Sequence, residues 1–507
     1  LQDYLNHVSN VEKVTLDKVQ AALNKYIHLD KAVMVELLPT ELHASLKAES
    51  DANLAMLKEP AAPTQPVAAQ TETTAATASP ATQKQENPKT APQKTILPNG
   101  ITLLAEPLKD SSTVAIKIFV KGGQGVETIP GTASLVSSVM MQGTQSRTAQ
   151  RISKELESKG MSLSVSADED YTEVTGSAIQ EDLGELFVIL KDVLNNPTFD
   201  DAEISKKKEQ IRQAIEASRD NPSSVAFENL SLALYPNHPY GNDGKRVEAN
   251  LDKITRQDLL DYYNLYFEPQ NMVVSVVGNF DPDTLSNYLN SLYPECRSCH
   301  KSEVSIPEVQ PLAKSQTITE EKPQLSATWM AQGWLVPPIS EQKDYAALKV
   351  INSLVGTGMS SRLFVDLREK QGLAYVVGSM YPTREQESRF VVYIGTDPAN
   401  TEKVQEGFTH EIKRLQDELV PEAELAEAKS KLIGSFALAH DTNINKAFYL
   451  GLYETVGAGY EFDANYPAII EKITPADIQQ AAQRVFAKPY VLSVVKPAPK
   501  PKMGESR

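Results

Sequence analysis

Three stretches of the chain repeat one arrangement of polar and apolar positions. They are Lys13-Val-Thr-Leu-Asp-Lys-Val-Gln20, Lys253-Ile-Thr-Arg-Gln-Asp-Leu-Leu260 and Lys472-Ile-Thr-Pro-Ala-Asp-Ile-Gln479. Each is followed by an aromatic residue (Tyr26, Tyr266 or Phe486) and then by a continuous apolar run. Those runs are residues 33–38, Met272-Val-Val-Ser-Val-Val-Gly278 and Tyr490-Val-Leu-Ser-Val-Val495. Thr15, Thr255 and Thr474 stand where a helix N-cap would. Asp258 and Asp477 follow three residues later, where a carboxylate can reach back to the cap. Pro475 falls at the first helical position, where its missing N–H costs little. Each copy therefore predicts a capped helix that feeds a buried strand.

The middle and last copies close long successions of strand and helix patterns. Thr95-Ile-Leu-Pro-Asn-Gly-Ile-Thr-Leu-Leu104 predicts a hairpin turning at Asn-Gly. A strand over 114–120, a helix over 149–159, alternating strands over 162–178 and helices over 183–194 and 201–218 follow. After residue 316 the pattern predicts strands over 325–334 and 390–395, with helices over 345–354, 401–418 and 422–440. The first copy has almost nothing before it, so residues 1–40 are expected to be the C-terminal remnant of a preceding domain. Residues 41–58 predict a short helix through Leu46, Leu54 and Leu57. Residues 59–95 shift to Ala, Pro, Thr and Gln and predict a disordered linker. The expected organisation continues with a domain over 96–295, a connector over 296–315, a second domain over 316–498 and a tail over 499–507.

With 507 residues the chain is long enough for two or three domains. Its net charge of −16 argues against a nucleic-acid partner, which calls for a basic face. No apolar run is long enough for a membrane-spanning helix. The two cysteines do not make a disulfide framework. Their setting, Cys296-Arg-Ser-Cys299-His300, matches the CxxCH pattern of c-type haem attachment. A local disulfide in an oxidising compartment and an incidental surface pair are the alternatives. As a zinc site the segment offers three ligands at most.

Ser360-Ser-Arg-Leu-Phe-Val-Asp-Leu-Arg-Glu-Lys-Gln-Gly-Leu-Ala-Tyr-Val-Val-Gly-Ser379 predicts an amphipathic helix, a glycine stop and a strand. Leu363, Phe364 and Leu367 form its apolar face. Gly372 falls where a helix C-terminal residue of positive φ belongs. Arg368 and Tyr375 lie on either side of the reversal, where their side chains could converge.

This segment resembles a block of the zinc peptidase family that includes pitrilysin, insulin-degrading enzyme and mitochondrial processing peptidase. The resemblance implies that Arg368 and Tyr375 help to bind substrate beside a metal. A phenol there can donate to the oxyanion of a hydrated peptide bond, a role typically worth about 10²–10³ in rate. The family's metal motif is His-x-x-Glu-His on an early helix. The matching frame here, Gly131-Thr-Ala-Ser-Leu-Val-Ser-Ser-Val-Met-Met-Gln-Gly-Thr144, has Ser134, Ser137 and Ser138 at those positions. The family's third ligand, a Glu, aligns with Ala214, ahead of Asp220-Asn-Pro222. Glu209 and Glu216 are out of phase. Hydroxyls and a methyl group do not replace imidazole and carboxylate as zinc ligands. A serine-nucleophile reading fails for lack of a neighbouring His or a nucleophile elbow.

The resemblance implies an α+β fold of two homologous domains, each a mostly antiparallel sheet packed against helices, together one half of a clamshell. It implies a unit that binds no cofactor itself. Zinc is expected on a homologous half, fused upstream or separate, and unfolded peptides are the expected substrates. The alternatives are a structural, non-catalytic homologue of the same fold and a c-type haem protein. By analogy alone, the linker and cysteine pair fit a bacterial periplasm or cell envelope. His238-Pro-Tyr-Gly241 also matches a recurrent segment of the family, and its His is expected to be structural.

Overall fold

The computed structural model describes residues 11, 13–27, 91–293 and 304–498, which fall in two units, 1–85 and 86–507. In the first unit, α1 (Leu16–Tyr26) starts at Thr15, whose hydroxyl accepts the Lys18 N–H at 3.4 Å. All of its residues are exposed. The strand expected over 33–38, the helix over 41–58, most of the linker and the 499–507 tail lie outside the described residues. So do Cys296, Cys299 and His300.

The second unit contains two consecutive repeats of one design. The first opens with the hairpin β1 (Gln93–Ile96) and β2 (Thr102–Pro107), then β3 (Thr113–Lys121). Helices α2 (Thr132–Met140) and α3 (Ala149–Glu157) precede the hairpin β4 (Ser162–Ala167) and β5 (Tyr171–Ile179). Five helices follow: α4 (Leu183–Asn195), α5 (Asp201–Ser218), α6 (Pro222–Leu234), α7 (Gly244–Leu251) and α8 (Arg256–Tyr266). Strand β6 (Met272–Gly278) and helix α9 (Pro282–Leu292) end the repeat.

The second repeat runs β7 (Gln316–Lys322), β8 (Thr328–Val336), α10 (Gln342–Gly356), a π-helical segment (Phe364–Lys370), β9 (Ala374–Met380) and β10 (Ser388–Thr396). It closes with α11 (Thr401–Asp417), α12 (Glu422–Ala439), α13 (Asn443–Thr455), α14 (Glu461–Glu471), α15 (Pro475–Phe486) and β11 (Tyr490–Pro497).

The strand order is β1-β2-β6-β3-β5-β4 in one sheet and β7-β11-β8-β10-β9 in the other. Apart from β1 the two orders superpose strand for strand. In each sheet one pair is parallel, β2 with β6 or β7 with β11, and the rest are antiparallel. The repeated Thr-x-x-Asp motifs explain how each sheet acquires its late strand. Thr255 and Thr474 form full capping boxes with Asp258 and Asp477 at the starts of α8 and α15. Those helices lead into β6 and β11. Strand β6 is buried at every position, as its apolar run, broken only by Ser275, requires of a strand covered on both faces.

What covers the second face is an exchange of helices. Helix α6 of the first repeat packs on β8 and β11 of the second sheet, and α13 of the second repeat packs on β3 and β6 of the first. Ser275 on β6 hydrogen-bonds the Ala447 carbonyl of α13. One apolar core therefore runs from Leu104, Phe119 and Val277 to Trp334, Tyr345 and Tyr453 across both repeats.

Candidate functional site

The helix that carries Arg368 is held by its buried side. Leu363 and Leu367 are each 1% exposed. Leu367 presses on α11 at Gly407, where any Cβ would meet its methyl groups. Arg362, almost buried, makes a two-pronged bond to Glu424 of α12, with Nε to Oε1 at 2.6 Å and Nη2 to Oε2 at 2.8 Å. These anchors fix the segment while its last turns widen to π spacing, a distortion frequently found at functional sites. Gly372 ends the helix in the left-handed region (φ 64°), so that the Leu373 N–H turns back to the Leu367 carbonyl at 2.8 Å.

Strand β9 then leaves along the edge of the sheet. Val376 pairs with Gly395 and Ala374 with Thr396, which leaves Tyr375 as the extra residue of a bulge. Its side chain is 63% exposed. The Arg368 guanidinium lies 4.9 Å from the centre of the Phe364 ring. Among the described residues neither the guanidinium nor the Tyr375 hydroxyl has a hydrogen-bond or ion-pair partner, and none joins the two. This contrasts with Arg362, Arg384 and Arg414, which are all paired with carboxylates. Two polar groups are thus displayed on a rigid reversal and left free to engage a ligand.

Ser134, Ser137 and Ser138 lie on α2, which packs against α5. The Ser137 hydroxyl donates to the Ser134 carbonyl and that of Ser138 to the Leu135 carbonyl, both at 3.0 Å. Gln124 donates to the Ser134 hydroxyl at 3.3 Å. Ala214 is exposed on α5 and offers no donor atom. These four residues do not suit a metal ion, since three hydroxyls and a methyl group offer none of the imidazole or carboxylate donors that zinc takes. Among the described residues no cluster of three His, Cys, Asp or Glu side chains could hold one.

The carboxylate nearest the start of α2 serves that helix. Glu127 accepts the Gly131 and Ala133 N–H groups at 3.0 Å each and the Asn242 amide at 3.1 Å. Burial lifts its pKa to about 7 despite those bonds.

A second polar cluster joins the repeats, and sequence reasoning did not find it. The β4–β5 turn carries Asp168, Glu169 and Asp170. The equivalent β9–β10 turn carries Arg384, whose guanidinium reaches Asp168 at 2.8 Å and Glu169 at 2.6 Å. The Tyr240 hydroxyl donates to Asp170, and the Glu385 N–H donates to the same carboxylate at 3.2 Å. Burial raises the pKa of Asp170 to about 7 and that of Asp168 to about 6, against the pull of Arg384. His238 is structural, as expected. Its Nδ1 accepts the Tyr240 N–H at 3.0 Å and its Nε2 pairs with the Pro307 carbonyl at 2.7 Å.

Two repeats of one sheet order, joined by exchanged helices, define a two-domain scaffold of sheets packed against helices. Residues 102–244 match the family described as insulinase (peptidase family M16), and residues 253–432 match the peptidase M16 inactive domain. The chain belongs to the M16 (insulinase) peptidase family.

An uncharacterized zinc protease of Rickettsia bellii is 25% identical over 403 residues, covering 79% of this chain and 96% of that protein. The beta subunit of the mitochondrial processing peptidase of Saccharomyces cerevisiae is 26% identical over 369 residues, covering 68% of this chain and 78% of that subunit. Among solved structures, a protease from Helicobacter pylori aligns with a TM-score of 0.74 at 19% identity, over 81% of this chain and all of that one. A peptidase M16 inactive domain from Pseudomonas fluorescens aligns with a TM-score of 0.73 at 20% identity, over 82% and 100%. No helix among the described residues is long and apolar enough to cross a membrane.

Proposed function

We propose that this chain is the metal-free half of a two-part zinc metalloendopeptidase acting on unfolded peptides. The observation that carries the proposal is the free Arg368 guanidinium and exposed Tyr375 phenol on an otherwise tightly anchored reversal. The guanidinium would bind a carbonyl of an extended substrate. The phenol would donate to the oxyanion that forms when water adds to the scissile bond. The hydrolytic centre itself would belong to a zinc-bearing homologous half, fused upstream or separate, because the α2 and α5 positions here hold no ligands. A relative named as a subunit of a processing peptidase supports such pairing, and relatives named zinc proteases support the metal chemistry.

The test is zinc content and cleavage of an unfolded peptide, by this chain alone and mixed with a zinc-bearing homologue from the same source. The chain alone should be inert and zinc-free, and mixing should produce cleavage. Arg368→Ala or Tyr375→Phe should lower that cleavage by about 10²–10³-fold, the usual worth of an oxyanion donor. Stoichiometric zinc in the chain alone would refute the assignment of Ser134, Ser137, Ser138 and Ala214. Mixing that yields nothing, or variants that behave as wild type, would favour a structural, non-catalytic homologue.

A further inference from the structure

Helix α10 holds in the second repeat the place that α2 holds in the first. Each follows the central strand of its sheet, β8 or β3, and each packs against the helix just before the exchanged one, α12 or α5. Lys349, Asn352 and Ser353 on α10 repeat the one-four-five spacing of Ser134, Ser137 and Ser138. All three line a cavity of about 530 Å³, a size typical of small-molecule sites.

The lining has an unusual balance of charge. The protein carries 66 acidic against 50 basic side chains, yet among the described residues no Asp or Glu lines this cavity, whereas Lys349, Arg384 and Lys431 do. Arg384 is committed to Asp168 and Glu169. Neither lysine forms an ion pair among the described residues, although Glu427, one turn before Lys431 on α12, acts on Lys431 through space. Lys349 donates to the Tyr381 carbonyl at 2.9 Å and sits 5.0 Å from the ring centres of Tyr345 and Tyr381. Lys431 donates to the Thr357 carbonyl.

The rest of the wall is aromatic. Tyr449 and Tyr453 stack at 6.1 Å, and Tyr466 stacks on Phe436 at 4.7 Å. The hydroxyls of Tyr449, Tyr453 and Tyr466 make no hydrogen bond among the described residues. The cavity therefore offers amines and phenols, all able to donate, against ring faces. Among the described residues its lining holds no carboxylate that would complement them.

We propose that this cavity binds a small aromatic carboxylate, with the anion at Lys349 and Lys431 and the ring among Tyr449, Tyr453 and Tyr466. The chemistry would be shared by a free aromatic acid and by the C-terminal residue of a peptide. Burial supports the assignment further: it lowers the Lys349 pKa to about 8, with Arg384 adding to the effect, so an arriving anion would meet an amine short of counter-charge. The site is separate from Arg368 and Tyr375, which do not line it.

Calorimetric titration of the full chain with N-acetyl-L-phenylalanine, its neutral amide and a decapeptide ending in phenylalanine tests this. The acid should bind at least about tenfold more tightly than the amide, since the charge-assisted bond is lost in the latter. Lys349→Met and, independently, Lys431→Met should erase that preference while the weak binding of the amide persists. Binding of the decapeptide as tightly as the free acid would identify peptide termini as the source, and binding of the free acid alone would identify a small molecule. Equal affinity for acid and amide, no binding of either acid, or a preference unchanged in both variants would overturn the proposal. Should Lys349→Met fail to fold, the Lys431→Met result decides.

Discussion

The two repeats share a sheet order and differ in what they place on it. In the first, α2 is capped by a buried carboxylate, and the hydroxyls of Ser137 and Ser138 are spent on its own backbone. In the second, α10 presents an amine into an aromatic cavity, and the next helix shows an arginine with no ion-pair partner among the described residues. The lesson is that the scaffold is set by apolar pairing of strands and helices. The polar positions facing outward from that scaffold can then diverge without disturbing it.

The exchanged helices and the joining turns are the places to break this comparison. Arg384 is the sharpest. It faces three carboxylates of the equivalent turn, and removing one partner of a buried charge cluster typically costs about 3–5 kcal/mol. Arg384→Met should lower stability in urea unfolding by a loss of that order at pH 8. The loss should be smaller at pH 5. Burial already holds Asp170 near 7 and Asp168 near 6, so at low pH both are largely neutral and need no counter-charge. An equal loss at both pH values would mean that the carboxyls stay ionised throughout.

The next effect separates the two exchange interfaces. A Cβ on Gly451 of α13 would strike the Phe119 ring and lie 2.7 Å from Ser275 Oγ. One on Gly333 of β8 would have the methyl ends of Leu230 and Leu234 as its nearest neighbours, at 3.1–3.2 Å. Gly451→Ala should therefore cost about 1–3 kcal/mol, as overpacking does, partly offset by the better helix propensity of Ala. Gly333→Ala should cost less, because leucine ends can give way. Chemical denaturation of the two variants measures the difference, and reversed ranking would show that α6 is the more rigid of the pair.

The smallest effect concerns the ends of two equivalent helices. Arg219 follows α5 and pairs with Glu248 of α7. His440 follows α12 and pairs with Asp463 of α14 at 3.0 Å. Burial works against a charge on His440, but the hydrogen bond and charge of Asp463 outweigh it and raise the pKa above its ordinary 6.5. A raised histidine pKa stabilises the fold fully below the unfolded value and loses that contribution as pH rises through the folded value. His440→Gln should thus lower stability by on the order of 1 kcal/mol at pH 5 and by much less at pH 8. The first repeat should show no such dependence, since it carries an arginine where the second carries a histidine. Melting temperatures of Arg219→Gln and His440→Gln across pH 5–8 provide the check.

Much of the fold was legible because local and global preferences agreed. Thr255 and Thr474 cap their helices with Asp258 and Asp477, and the apolar runs after them are the buried strands. The turn at Gly372 was legible for the same reason, since a single residue must adopt positive φ there. The π spacing under Arg368 was not, because an amphipathic pattern does not distinguish π from α turns. Helices α6 and α13 carry no pattern that names their partner. Their apolar residues pack on the sheet of the other repeat, and nothing local encodes which sheet that is.

By itself, then, the sequence determined the repeated helix–strand units, the Arg368/Tyr375 reversal and the absence of imidazole or carboxylate at Ser134, Ser137, Ser138 and Ala214, while the class of fold came from a family resemblance. Each of the first three depends on short-range periodicity, a cap, a glycine or the identity of a side chain. Only the tertiary structure decided that Arg384 meets Asp168 and Glu169, that α6 and α13 trade sheets, and that Lys349 and Lys431 share an aromatic cavity free of acids. Those pairings join residues far apart in the chain. Their physical cause is the burial of two sheets against each other's helices, which no local window of sequence contains.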